Sequence, residues 1–127
     1  MPTANLNNSG VSVDTGKDSI VIVELIEAIP GGKTLDVTGV TAEVLQAGHI
    51  IIKETATGNY KPQSVTSGTY DALPAGHTYA GVLVGSILTA KPFASIMVRG
   101  SVNSVAAPYA PLSAAVTALP LIRFTQD

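Results

Sequence analysis

The sequence contains no cysteine and unusually few charged residues. Without cysteine, the fold uses no disulfide bond and no thiolate metal ligand. Charged residues make up 13% of the 127 residues, about half the usual share, whereas 46% are hydrophobic. Neutral polar residues or another protein chain must therefore cover much of the surface. The second possibility predicts an oligomer or a docked subunit.

Two classes of partner are disfavoured by features that the sequence lacks. The net charge of −2 gives no broad basic face, so we expect no nucleic-acid partner. The longest apolar stretch, residues 20–29, is broken by Glu24 and Glu27 and is too short to span a membrane. The amino terminus lacks the basic start and apolar stretch of a signal peptide, which predicts a chain made in the cytoplasm.

The length of the chain predicts one domain preceded by an arm. Residues 1–18 are rich in Asn, Ser, Thr, Gly and Asp, and they are too polar to form a core of their own. We therefore expect a flexible amino-terminal arm over residues 1–18 and a single β-rich domain over residues 19–127. A weak alternation at Val11 and Val13 would let the arm form a strand on a partner.

Most of the domain has the short, β-branched segments that are typical of strands. After Gly39 the apolar positions change parity, which predicts a β-bulge there. Segments that are apolar at every position are expected to be central strands, buried on both faces. The predicted strands cover residues 20–26, 34–38, 40–44, 50–52, 78–88, 93–100 and 121–124.

A short helix is predicted near the carboxyl end. Pro111 suits a first helical turn, and Pro120 stops the segment. Between them, Leu112, Val116 and Leu119 follow at helical spacing, which predicts a helix that packs on the sheet. The fold class is therefore mainly β, with one or two short helices near the carboxyl end.

The side chains that could perform chemistry do not form a recognisable constellation. His49 and His77 have no diagnostic metal-ligand spacing, and both follow a glycine, so we interpret them as exposed turn residues. Glu24 and Glu27 lie three apart on a strand and are expected on opposite faces, where they cannot act as a carboxylate pair. We expect no enzyme, no cofactor and no metal. A third interpretation is an enzyme that carries His77 and Asp71 in a cleft.

Three blocks of sequence, which follow one another in order along the chain, resemble a known family. The first is AGHIIIKETATGNYKPQ, a Gly-led apolar strand with a Thr-Ala-Thr-Gly turn. The second is YAGVLVGSILTAKPFASIMVRGSVNSVAAPY, and the third is LSAAVTALPLIRF. Together they cover about residues 45–124 and are similar, in consistent order, to the head decoration proteins of lambda-type phages.

This resemblance implies a β-tulip-like or β-barrel-like domain that assembles as a homotrimer without catalysis or cofactor. Such trimers bind the major capsid protein on the exterior of the expanded head and stabilise it against the pressure of packaged DNA. The implied location is the virion. In the family, the arm is disordered in the free protein and adds a strand to the shell. The expected arm contacts here are Thr3, Asn5, Leu6, Val11 and Val13.

Small and apolar residues on two predicted strands are candidates for the trimer interface. Missing side chains at Gly81 and Gly85 would permit another chain segment to approach closely. Ala94 and Met97 are candidates on the next strand.

The alternative function is also a binding role: the chain would be the capsid-anchoring base of a head fibre or adhesin. Such a base would usually carry a long carboxyl-terminal extension, and the end of the sequence at Asp127 disfavours that alternative.

Overall fold

The computed structural model describes Gly16 and residues 18–125, apart from the side chain of Ser19. This part of the chain is mainly β, as the sequence predicts, with one short helix near the carboxyl end. None of its helices is long and apolar enough to cross a membrane. The elements are α1 (Asp18–Val21), β1 (Ile22–Ala28), β2 (Lys33–Thr34), β3 (Val44–Leu45), β4 (Ile50–Glu54), β5 (Tyr60–Pro62), β6 (Val65–Thr66), β7 (Thr69–Tyr70), β8 (His77–Leu83), β9 (Ile87–Leu88), β10 (Phe93–Ala94), β11 (Ile96–Asn103), α2 (Ser113–Ala118) and β12 (Ile122–Thr125).

A six-stranded sheet forms the centre of the molecule. Five of its strands lie in the order β1-β11-β8-β4-β5, and each is antiparallel to its neighbours. The sixth strand, β12, pairs with β11. On the side of β11 away from β1, β8 pairs with the first residues of β11, and β12 pairs in parallel with the last ones. A parallel pair needs a long crossover, and residues 104–121, which include α2, provide it.

The central strands are buried on both faces, which confirms the prediction from their unbroken apolar runs. Two separate clusters of buried side chains lie on the sheet, and neighbouring residues of one strand belong to different clusters. Ile50 lies in one cluster and Ile51 in the other, and Val82 and Leu83 are divided in the same way. This alternation follows from the two-residue period of a strand.

The first half of the chain differs most from the prediction. Instead of two strands over residues 34–44, it forms the short pairs β2–β10 and β3–β9. Gly39 is not a bulge but a turn residue with a φ of 82°, directly after Thr38. The Asp36 carboxylate accepts hydrogen bonds from both the backbone N–H and the hydroxyl of Thr38. These local bonds favour a turn over a continuous strand.

The start of the domain also differs from the prediction. Ile20 belongs to α1, and β1 begins at Ile22 and continues to Ala28. Asp18, which the sequence assigned to the arm, is bound to the domain: its carboxylate accepts hydrogen bonds from the backbone N–H and the hydroxyl of Ser86, at 2.9 and 2.8 Å. The ordered domain therefore includes Asp18.

Helix α2 forms where the proline and leucine pattern predicts it, but with a different buried side. Ala115 is completely buried and Leu119, just after the helix, is nearly so. Val116, expected to pack on the sheet, is 41% exposed. The helix has fewer than two turns, and Ala115 is its one buried residue.

Gly81 allows β8 and β11 to approach closely, and replacing it should destabilise the fold. A Cβ atom at Gly81 would overlap the carbonyl oxygen of Met97 and lie 2.8 Å from Cγ2 of Ile96. We expect Gly81→Ala to lower the free energy of unfolding by about 1–3 kcal/mol, the usual cost of overpacking. Gly85→Ala is the matched control, since its nearest neighbour, an Asp18 carboxylate oxygen, would be 4.0 Å away. Equal unfolding midpoints in denaturant for the two variants would contradict this assignment.

Candidate functional site

His49, directly before β4, is buried, so the prediction that it is an exposed turn residue is wrong. Gly48 turns the chain with a φ of 92°, and Pro108 and Ala107 lie within 3.5 Å of the position a Cβ would take there. The loop that contains Ala107 and Pro108, together with Tyr70, covers His49, which is only 5% exposed. Sequence periodicity could not show this covering, because it depends on a segment almost sixty residues further along the chain.

The imidazole of His49 lies in a compact aromatic cluster, defined here as His49, Tyr70 and Tyr109. Its ring centroid is 5.3 Å from that of Tyr70 and 5.8 Å from that of Tyr109, and both contacts are edge-to-face. The two tyrosine rings are 5.5 Å apart. The Tyr70 hydroxyl accepts a hydrogen bond from the backbone N–H of Ile50. The cluster therefore joins β4, β7 and the loop after β11.

Burial favours the neutral forms of His49 and Tyr70. Nε2 of His49 lies 2.9 Å from the carbonyl oxygen of Gln63, so Nε2 carries the proton and donates it. Burial lowers the pKa of His49, and the Gln63 carbonyl opposes that change only in part. Burial also raises the pKa of Tyr70. Both shifts favour the neutral forms of His49 and Tyr70 at neutral pH.

Gln63 is a buried polar residue that the sequence analysis did not single out. Its Nε2 donates to the carbonyl oxygen of Asp71 at 2.9 Å and contacts the Tyr79 hydroxyl at 3.3 Å. Its Oε1 is buried without a hydrogen-bond partner among the described residues. Such an unsatisfied acceptor costs about 1–3 kcal/mol. No local sequence pattern indicates its burial, which depends on the contacts with Asp71 and Tyr79.

The side chains suggested for catalysis do not form a joint site. Nδ1 of His77 donates to the Ala75 carbonyl oxygen at 3.0 Å. The Asp71 carboxylate accepts from the hydroxyl of Thr66, and no hydrogen bond joins it to His77 within the described chain. No group of three His, Cys, Asp or Glu side chains that could hold a metal occurs among the described residues.

Glu24 and Glu27 both lie exposed on β1, at the edge of the central sheet. A register shift between Leu25 and Glu27 interrupts the period of two on which their predicted opposite orientation rested. Glu27 lies 3.8 Å from Arg99, and both side chains are at least half exposed. An ion pair this exposed contributes little stability.

Three of the four proposed trimer-interface residues belong to the core of the single subunit. Ala94 and Met97 are completely buried. Gly81 does permit a close approach, but the approaching segment is β11 of the same chain. This correction assigns the three residues a role inside the subunit. Gly85 is half-buried beside Asp18, and its interface role remains a prediction. The arm contacts Thr3, Asn5, Leu6, Val11 and Val13 lie outside the described residues.

A concavity of about 490 Å³ lies beside the aromatic cluster, and two of the three cluster residues line it. His49 and Tyr109 line it together with Gln63, and Lys61 and Asp36 supply charge at its border. Lys61 is paired with Glu54 at 3.1 Å. The concavity therefore offers both apolar and neutral hydrogen-bonding groups and no concentration of one charge.

The chain matches no protein-family model, no curated protein and no solved structure.

Protonation of His49 should weaken the fold in mildly acidic solution. Because the pKa of His49 is lowered in the folded state, the unfolded chain binds more protons than the folded chain once the pH falls below about 6.5, the ordinary histidine pKa. Stability contributed by neutral His49 is complete above that pH and decreases as the pH falls toward the folded-state pKa. The loss is at most about 1.4 kcal/mol per pH unit.

The measurement is the free energy of unfolding of the wild type and of His49→Gln between pH 8 and 5. Because the substitution also changes the absolute stability, the comparison is between slopes. We expect a smaller loss per pH unit below pH 6.5 in His49→Gln, which keeps a polar side chain but cannot titrate. Parallel curves would show that His49 does not couple folding to pH.

Proposed function

We propose that this chain is a phage capsid decoration protein, which binds the exterior of the expanded head as a trimer and stabilises it against internal DNA pressure. The resemblance of residues 45–124 to lambda-type decoration proteins supports the specific role. The mainly β fold is compatible with it. A virion location and the major capsid protein as partner are parts of the same proposal.

The observation that carries the proposal is the exposed apolar edge of β1. One side of this strand pairs with β11, and no other strand within the described residues pairs with β1. Val23, Leu25 and Ile26 are 51%, 47% and 60% exposed. Edge strands usually avoid such side chains and carry lysine or proline instead, because an apolar edge promotes association. Neither residue occurs in β1.

Irregularities in the same strand favour a specific partner over indiscriminate pairing. The pairing of β1 with β11 contains three register shifts, and the strand also carries Glu24 and Glu27. Bulges and charges of this kind limit edge-to-edge aggregation. The β1 edge is therefore a surface that a second copy of matching shape can cover.

The energetic basis of the proposed function is the addition of many modest terms. Complete burial of one Val, Leu or Ile side chain stabilises an assembly by roughly 1.5–3 kcal/mol before the costs of association. A decoration protein at a hundred times its dissociation constant stabilises each shell site by a further ~2.7 kcal/mol. Because a shell has many equivalent sites, these terms add over the particle without any catalytic group.

A charge on the β1 edge should prevent assembly without unfolding the subunit. We expect Ile26→Lys to abolish trimers in sedimentation and to reduce co-sedimentation with expanded empty shells, because a lysine there would have to be buried. Val105→Lys is the matched control, since Val105 is apolar, 69% exposed and outside β1. Wild-type assembly and shell binding by Ile26→Lys would contradict the role of this edge.

The contribution of the arm is tested separately by deleting residues 2–14. If the arm pairs with the shell through main-chain hydrogen bonds, the deletion should weaken co-sedimentation with expanded shells and leave the unfolding midpoint unchanged. Unchanged shell binding would exclude the arm from the interaction. If the wild-type chain itself does not bind expanded shells of the same source, the decoration function is excluded.

A further inference from the structure

A trimer with three-fold symmetry needs a second contact surface on each subunit besides the β1 edge. In a two-fold pair, one patch contacts the same patch of its partner, whereas in a closed ring of three each patch contacts a different patch of the next subunit. The exposed Val23, Leu25 and Ile26 of β1 form one such patch. The proposed trimer therefore requires a complementary surface elsewhere on the same subunit.

The β1 edge combines apolar side chains with negative charge and contains no basic residue. It carries Glu24 and Glu27, and both are exposed. Glu27 lies 3.8 Å from Arg99, whereas Glu24 has no ion-pair partner among the described residues. Because complementary charges orient two associating surfaces, a surface that fits this edge should offer an exposed apolar side chain beside basic groups.

The short β2–β10 pair presents such a surface. Phe93 of β10 is 62% exposed and is the one aromatic side chain among the exposed large hydrophobic residues of the described chain. Lys33 of β2 lies opposite Ala94, the neighbour of Phe93, and Lys91 lies two residues before Phe93. Both lysines are exposed, and neither forms an ion pair with a described residue. We call Lys33, Lys91 and Phe93 the Phe93 patch.

Local contacts hold the Phe93 ring in place. The ring packs over the turn before β2, where a Cβ atom at Gly32 would lie 2.8 Å from Cζ of Phe93. The backbone N–H of Leu35 donates to the carbonyl oxygen of Pro92 at 2.8 Å, which joins the end of β2 to the start of β10. A side chain that is already fixed loses less entropy on association, and aromatic residues are enriched at protein interfaces. Phe93 is therefore suited to anchor a contact.

We propose that the β1 edge of one subunit contacts the Phe93 patch of the next subunit around the three-fold axis. The Phe93 ring packs against the apolar side chains of β1, and the two lysines of the patch face its two glutamates. Apolar burial supplies the affinity and the charges fix the orientation, because exposed ion pairs contribute little stability. This inference rests on the proposed trimer and names the surface by which one copy covers the next.

The competing surface lies at the start of β12. Leu121 is 61% exposed, and Arg123, two residues further along, is exposed as well. This surface offers one basic residue against two glutamates and has no exposed aromatic ring. The Phe93 patch matches the β1 edge better in charge and in apolar area, and the β12 surface serves as the competing position in the test.

The absence of cysteine allows a test by cross-linking between single-cysteine subunits. Thr34 is exposed directly opposite Phe93, so Thr34→Cys labels the patch and keeps its anchor. Chains with Ile26→Cys and mass-tagged chains with Thr34→Cys are co-expressed and treated with a short bismaleimide, so that the mixed dimer forms only across a subunit contact. We expect this mixed dimer as the main covalent product.

Two parallel samples give the outcomes that would overturn the proposal. A higher yield of dimer from Ile26→Cys chains alone would show that β1 pairs with itself. A higher yield from Ile26→Cys co-expressed with Arg123→Cys would assign the contact to the β12 surface.

Charge reversal tests the same contact without cross-linking. Replacing both glutamates of β1 by lysine, or both lysines of the patch by glutamate, should weaken trimerisation about tenfold or more in sedimentation equilibrium, because like charges then face each other. The four substitutions together should restore trimers, and equal unfolding midpoints show that each subunit is folded. Two weakened variants whose combination is not restored would contradict the pairing. The substitutions are Glu24→Lys with Glu27→Lys, and Lys33→Glu with Lys91→Glu.

Shell binding separates this inference from the proposed function. Trimers that bind expanded shells but cross-link through another surface would overturn the Phe93 contact and leave the decoration function intact. Trimers with the expected cross-link that do not bind shells would support the contact and exclude the decoration function. A wild-type chain that sediments as a monomer and gives no mixed dimer, with or without shells, would overturn the contact.

Discussion

Burial of the strands β4, β8 and β11 on both faces is the constraint on which the rest of the structure depends. Consecutive side chains of these strands enter different apolar clusters, so each face needs its own cover. Helix α1, strand β7 and the end of helix α2 supply buried residues on one face. Residues around β2, β3 and β10 supply them on the other. In a chain of 127 residues, this double requirement accounts for the high apolar share and leaves few positions for charge.

The sequence predicts what depends on local pattern and misses what depends on distant contacts. The unbroken apolar run at Ile50–Ile52 and the proline-bounded helix before Pro120 are both confirmed, since period and punctuation determine them. The strands predicted over residues 34–44 are wrong, because side-chain bonds from Asp36 compete with strand pairing. The burial of His49 depends on a loop near Pro108, which no local pattern contains.

The candidate site shows the same division between local and long-range information. His49 stands out in the sequence as a histidine before an apolar strand. Its neutral state and its contacts with Tyr70 and Tyr109 arise only when the start of β4, β7 and the loop after β11 meet. Gly81 permits the close approach that the sequence predicts, but the approaching strand belongs to the same subunit. Three neighbouring apolar side chains, Val23, Leu25 and Ile26, are exposed on the edge strand β1, and they support the proposed assembly more directly than the buried Ala94 and Met97 do.

Cryo-electron microscopy of expanded empty shells incubated with the purified protein tests the central claim most directly. The account predicts trimeric density on the outer surface at three-fold or quasi-three-fold positions, with the β1 edge of each subunit covered by a neighbouring copy. Bare shells at saturating protein, or bound subunits whose β1 edge faces solvent, would contradict it.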